Sequence, residues 1–176
     1  MDGGPVGVSY FGSLKLNNPV IVSPDAGGVY RAKKFLEKLN QEDGIDAGLA
    51  MIIKQRQKAG SIERMDLVGS VDGCDAIIVD DMIDTAGTLC KAAQEIKKHG
   101  ANKVYAFASH GLFSGPASDR IARSVLEQVV VVNTIPLNES ASTNPKIVQL
   151  SVAGMLASCI ERIHHKQSVS AIFETK

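Results

Sequence analysis

The sequence predicts an α/β protein built on an open, mostly parallel, five-stranded sheet with helices on both faces. Three observations carry the prediction. Short apolar runs alternate with stretches of helical period along the chain. Those runs are apolar throughout instead of alternating with polar residues, the pattern of strands covered on both faces. And 176 residues at 44% hydrophobic content are enough to bury one sizeable core.

Residues 1–18 are rich in Gly and Asn without a strong period and are expected to be an N-terminal extension or domain remnant; residues 19–176 are expected to form the domain proper. The first strand is "PVIVS" (19–23), followed by a helical stripe of Val29, Ala32, Leu36 and Leu39. "GLAMIIK" (48–54) is the second strand. The polar, basic stretch "KQRQKAGSIERMDLVGS" (54–70) shows no helical stripe, and so long a connection in a compact domain is expected to be a mobile functional flap. "DAIIVD" (75–80) is the third strand, and Leu89, Ala92, Ala93 and Ile96 form the next stripe, with Gly100 where a C-terminal cap belongs. "KVYAFAS" (103–109) and "VVVVNT" (129–134) complete the sheet, and Val152, Leu156, Cys159, Ile160 and Ile163 suggest a last helix. Strand-helix alternation of this kind favours a parallel sheet.

Composition excludes several classes. Nineteen basic residues balance nineteen acidic ones, so no overall field draws the chain to nucleic acid or an acidic membrane. No run of eighteen apolar residues is present to span a bilayer, and the start lacks a basic region followed by an apolar stretch. Cys74, Cys90 and Cys159, odd in number and set in apolar patterns, read as buried thiols of a reducing compartment. The expectation is a cytoplasmic protein with no nucleic-acid and no membrane partner.

The chemistry concentrates in "AIIVDDMIDTAGT" (76–88). Ligands of open α/β sheets bind at the carboxyl ends of strands, where Asp80 and Asp81 stand. Ala86 and Gly87 let backbone approach a ligand closely, Thr85 and Thr88 add hydroxyls, and a helix beginning near Thr88 offers unpaired N–H groups and positive dipole. Such a loop suits a phosphate monoester. The plain alternative is an acidic strand end with Asp84 or Thr85 as helix N-cap.

The order of residues in "VDDMIDTAGT" resembles the signature by which proteins of the type I phosphoribosyltransferase fold hold a ribose 5-phosphate. That resemblance implies that Asp80 and Asp81 face the ribose 2- and 3-hydroxyls, with a metal contact open to them, and that Asp84, Thr85, Ala86, Gly87 and Thr88 wrap the 5-phosphate. Further segments narrow it. "VIVSPDAGGVYRAKKFLEKL", "IIKQRQKAGSIERMDLVG", "ASHGLFSGPASDRI", "VVVVNTIPL" and "QSVSAIF", in order from about residue 19 to about residue 173, resemble the second half of ribose-phosphate diphosphokinases. The family pattern implies a catalytic flap in which Lys54 and Arg56 close over the transferring phosphates, a metal role for Asp25 with Mg²⁺ as cofactor, and an allosteric phosphate or nucleotide site near Ser168 and Ser170. Each residue also has a bland reading: solvated loop charges, a turn or cap at Asp25, exposed serines. His110 is open between a bond near the site and a structural role, and His164 and His165 are expected to complement a helix end.

In the family, a first domain supplies most of the ATP site, and nothing in residues 1–18 could replace it. The resemblance therefore implies the carboxyl-terminal, ribose 5-phosphate-binding half of a synthetase, weakly active or inactive alone, with ATP as second substrate and either a homo-oligomer or full-length synthetase subunits as partner. The alternatives are a non-catalytic synthetase-associated regulatory subunit and a phosphoribosyltransferase, for whose base-covering hood neither end of the chain is an evident source.

Overall fold

The computed structural model describes residues 3–42, 44–55 and 64–172. Among them, seven strands form one sheet: β1 (Val20–Ser23), β2 (Gly48–Gln55), β3 (Arg64–Val68), β4 (Asp75–Ile83), β5 (Lys103–Gly111), β6 (Gln128–Val132) and β7 (Ile147–Leu150), in the order β3-β2-β1-β4-β5-β6-β7. β3 runs antiparallel to β2, and every other pairing is parallel. Six helices accompany them: α1 (Gly4–Ser13), α2 (Val29–Leu39), α3 (Gly87–Lys98), α4 (Ala117–Arg123), α5 (Glu139–Ser142) and α6 (Ala153–His164).

The sheet has seven strands where five were expected. The two additions, β3 and β7, are its edges. Met65, Asp66 and Leu67 of β3 and Ile147, Val148 and Leu150 of β7 are only half-buried, so neither strand needs the uninterrupted apolar run that marks a strand covered on both faces. The central strands show why that run arises. Ala76, Ile78, Val104, Ala106, Val129 and Val131 pack on the side of α3, with Ala92, Ala93 and Ile96. Ile77, Val79, Tyr105, Phe107, Val130 and Val132 pack on the side of α1 and α2, with Phe11, Ala32, Phe35 and Leu39. In α2 the buried stripe runs through Phe35 in place of the expected Leu36.

Residues before the first strand join this core. Pro5 opens α1 where its missing N–H costs nothing, and Phe11, fully buried, meets Phe35 and Tyr105 edge-on at 6.1 and 5.9 Å. The Asn17 N–H donates to the buried Asp75 carboxylate at 2.9 Å, and the Asp75 N–H returns the bond to Asn17 O at 2.9 Å. At the other end α6 forms as expected, but Cys159 is its buried residue while Ile160 and Ile163 are 68% and 65% exposed. Cys74 and Cys90 are part-exposed, unlike the expected buried thiols. Among the described residues no helix is long and apolar enough to cross a membrane.

The strand order places the site. From β1 the chain moves to one side, to β2 and β3, then returns to the other side as β4. The carboxyl ends of β1 and β4 thus border the crevice where the order reverses, the usual ligand position in such sheets.

Candidate functional site

Pro24, Asp80, Met82, Ile83, Asp84, Thr85, Ala86, Gly87, Thr88 and Leu89 line a cleft of about 150 Å³ at this crevice. Six of the seven expected sugar-phosphate residues are among them. The seventh, Asp81, is exposed and turned to a different partner.

That partner is Arg31, in the first turn of α2. Its Nη1 is 3.2 Å from Asp80 Oδ1 and its Nη2 3.1 Å from Asp81 Oδ2, so one guanidinium spans both acids. Each aspartate also accepts a backbone N–H through Oδ1: Asp80 from Asp81 at 2.9 Å and Asp81 from Met82 at 2.8 Å. The two carboxyls are electrostatically unlike. Burial pushes Asp80 up to about 6; the Asp81 N–H pulls it down, the adjacent Asp81 carboxylate raises it further and Arg31 lowers it. Burial works against the Asp81 charge too, but Arg31 and the hydrogen bonds from Asp80 and Met82 outweigh it and hold Asp81 below the usual carboxylate range.

The turn after β4 is built around Ala86, the N-cap of α3, at φ 57° and ψ 9°. A non-glycine residue pays about 1–2 kcal/mol for this left-handed conformation, so other contacts must hold it. They come from the segment after β5. Leu112 and Phe113 donate backbone N–H bonds to Ile83 O at 2.9 and 3.2 Å, Ser114 donates to Asp84 O at 3.1 Å, and Arg120 Nη1 donates to Thr85 O at 2.9 Å. Three consecutive loop carbonyls are thus drawn to one neighbour. The peptide is planar and trans, so the N–H groups of Asp84, Thr85 and Ala86 point away from those carbonyls. Helix α3 begins at Gly87, one residue before the expected start.

Asp25 follows β1. Its Oδ1 accepts the Gly28 N–H at 2.9 Å and its carbonyl accepts Ser23 Oγ at 2.6 Å, which is the turn-forming role open to it in the sequence. Gly28 lies between this carboxylate and the arginine: a Cβ there would stand 3.5 Å from Arg31 Nη1 and 3.6 Å from Asp25 Oδ1. Among the described residues no three His, Cys, Asp or Glu side chains gather to hold a metal by themselves.

The other expected residues divide. Lys54 lies in β2, its backbone in register with Met65 of β3; Arg56 lies outside the described residues. His110 Nδ1 is bonded to Thr134 Oγ1 at 2.8 Å, and Thr134 in turn donates to Ser109 O. Ser168 accepts Arg162 Nη1 through its carbonyl at 3.1 Å, and Ser170 opens a short 3-10 turn, Ser170–Ile172; neither lines the cleft. The sequence reading passed over Arg31 and Arg120. Arg31 carried one signal, since a cation in the first turn of a helix opposes the helix dipole and calls for an acidic partner elsewhere.

Comparison with known proteins gives the family and the fold. Residues 51–174 match the model of the phosphoribosyl synthetase-associated domain. A curated ribose-phosphate pyrophosphokinase from Shewanella oneidensis is 46% identical over 171 residues, 97% of this chain and 53% of that protein. A second, from Helicobacter hepaticus, is 47% identical over 164 residues, 93% of this chain and 50% of that protein. The crystal structure of phosphoribosylpyrophosphate synthetase from Mycobacterium smegmatis superposes with a TM-score of 0.81 at 33% identity, covering 94% of this chain and 52% of that one. The chain spans about half the length of the curated relatives it matches. The fold is that of the type I phosphoribosyltransferases.

Proposed function

The chain belongs to the phosphoribosyl synthetase-associated domain family, and on that premise we propose that it is the ribose 5-phosphate-binding half of a ribose-phosphate diphosphokinase. The observation that carries the reading is the single cleft at the ends of β1 and β4, where Asp80 and the turn Asp84–Thr88 face one ligand volume. A carboxylate accepts hydrogen bonds from vicinal hydroxyls, and a turn of outward N–H groups at a helix start takes an anion. Ribose 5-phosphate has both ends.

The reaction is transfer of the terminal diphosphoryl group of ATP to the C1 hydroxyl of ribose 5-phosphate. The C1 oxygen bonds to the β-phosphorus, the bond from that phosphorus to the bridging oxygen breaks, AMP leaves with that oxygen, and the hydroxyl proton is lost. Such chemistry depends on positioning and on neutralising charge. Thr85 to Thr88 hold the 5-phosphate, with Asp84 shaping their turn; Asp80 and Asp81 orient the ribose. Lys54 and Arg56 stabilise charge on the transferring phosphates. Mg²⁺ suits carboxylate oxygens and commonly takes only one or two of them beside waters and substrate phosphates, so Asp25 would hold it, with a contact open to Asp80 or Asp81; bound there it would offset phosphate charge. Ser168 and Ser170 belong in this reading to a regulatory phosphate or nucleotide site between subunits, and the protein is cytoplasmic and oligomeric.

Two measurements test the proposal. Calorimetry should show ribose 5-phosphate binding that Asp81→Ala and Thr85→Ala weaken; affinity unchanged in both would overturn the site. An assay with ATP and ribose 5-phosphate should give little turnover from the chain alone, and mixing it with a full-length synthetase separates a contributing subunit from an inert one.

A further inference from the structure

The phosphate turn is held by four donors from one neighbouring segment, and the last of them differs from the rest. Ile83 O and Asp84 O are taken by backbone N–H groups of Leu112, Phe113 and Ser114. Thr85 O, whose peptide leads directly into the left-handed Ala86, is taken by a side chain, Arg120 Nη1, at 2.9 Å. We propose that Arg120 is the positioning residue of the 5-phosphate turn, a role that rests on the sugar-phosphate reading of the cleft. It fixes the Thr85–Ala86 peptide and thereby aims the Ala86 N–H at the anion.

Three further observations support the assignment. Arg120 does not itself line the cleft, so its effect passes through the turn. Gly87 leaves the room it needs: a Cβ there would lie 3.3 Å from Arg120 Nη1, tighter than side chains normally tolerate. And the helix that carries Arg120 is pinned from behind. Ser118 Oγ donates to Ser140 O at 2.7 Å, and buried Asn144 donates to Ser118 O and Oγ at 2.9 and 3.1 Å. The guanidinium is thus delivered from an anchored support to the one loop carbonyl in this set that no backbone N–H occupies. Its charge adds to the bond, since hydrogen bonds from ionised donors are about twice as strong as neutral ones.

Arg120 is exposed, and the buried residues of its helix, Ala117, Ser118 and Ile121, are untouched by replacing it. Arg120→Met should therefore still fold, losing at most the small contribution of one exposed bond. Calorimetry should show ribose 5-phosphate binding weakened by more than twofold, because the turn must then be ordered by the ligand itself, with Arg120→Lys restoring part of it. In amide NMR spectra the Ala86 N–H should move on adding ribose 5-phosphate to the wild type and respond much less in Arg120→Met. Wild-type protein that takes up no ribose 5-phosphate overturns the sugar-phosphate reading and this role with it. Wild-type protein that binds, beside Arg120→Met that binds within twofold and shows the same Ala86 response, overturns the role of Arg120 alone.

Discussion

Arg31 Nη1 and Asp80 Oδ1 meet at 3.2 Å across forty-nine residues of sequence, and the contact favours the charged form of a carboxyl that burial pushes toward neutral. Burial alone would favour a neutral Asp80, while Arg31 favours the anion that can accept from sugar hydroxyls. Arg31→Met should raise the pKa of Asp80 above about 6 and lift that of Asp81 toward the ordinary carboxylate range. A carboxyl-selective NMR titration of wild type and variant measures both; values that stay put would show that Arg31 is a bystander.

The same shifts fix the direction of one pH effect. Asp80 binds its proton more tightly folded than unfolded, so its ionisation opposes folding, and the stability it allows falls as pH rises from about 4 to about 6. Asp81, held low, contributes in the opposite sense: stability present above its unfolded value of 3.8 and lost as pH falls below it. Asp80→Asn removes the first effect and changes the second only through the bond between the two side chains. Urea midpoints taken across this range should flatten in that variant compared with the wild type.

Gly87→Ala separates the helix from the turn. Alanine is the better helix former by about 1 kcal/mol, so the folded state should hold or gain. The new Cβ would stand 3.3 Å from Arg120 Nη1, so the guanidinium must give by a few tenths of an ångström and its bond to Thr85 O is loosened. Thermal melting unchanged or raised, together with several-fold weaker ribose 5-phosphate binding, is the expected pair of results.

Gly7→Ala asks whether α1 is part of the domain. Its Cβ would meet Phe107 Cε2 at 2.4 Å, and that ring is 2% exposed, so the core cannot give way cheaply. Overpacking of this kind costs about 1–3 kcal/mol, more than the gain in helix propensity. Gly12→Ala on the same helix meets the flexible Glu42 Cγ at 3.0 Å and should be neutral or stabilising. Urea unfolding of the two variants should move in opposite senses.

These residues also show what could be read in advance. Four inner strands announced themselves because helices cover both of their faces, and β2 carries the same apolar run although Leu49 on it is 41% exposed. β3 and β7 did not, because an edge strand can remain half polar. α1 was hidden by its glycines, and what holds it is distant in sequence: Phe11 against Phe35 and Tyr105. That the turn after β4 lines the cleft was legible since its features are local, a run of small and hydroxyl residues between a strand and a helix. Arg31 and Arg120 were not, since one reaches Asp80 and Asp81 and the other reaches Thr85 from helices whose positions only the sheet order decides.

Asn144 extends that lesson into a last prediction. Its Nδ2 serves Ser118 and its Oδ1 accepts the Lys146 N–H at 3.0 Å, all at 7% exposure. Asn144→Ala leaves the Ser118 oxygens short of a donor in a buried place, at a cost of about 1–3 kcal/mol. Asn144 is not among the residues lining the cleft, so a purely structural role would lower stability and leave ligand affinity alone. If α4 is the support that delivers Arg120, ribose 5-phosphate binding should weaken as well, and the loss should shrink when Arg120 is already Met, because the two substitutions then break one chain of contacts. A double-mutant cycle by calorimetry measures that coupling, and additive losses would mean that Asn144 and Arg120 act independently.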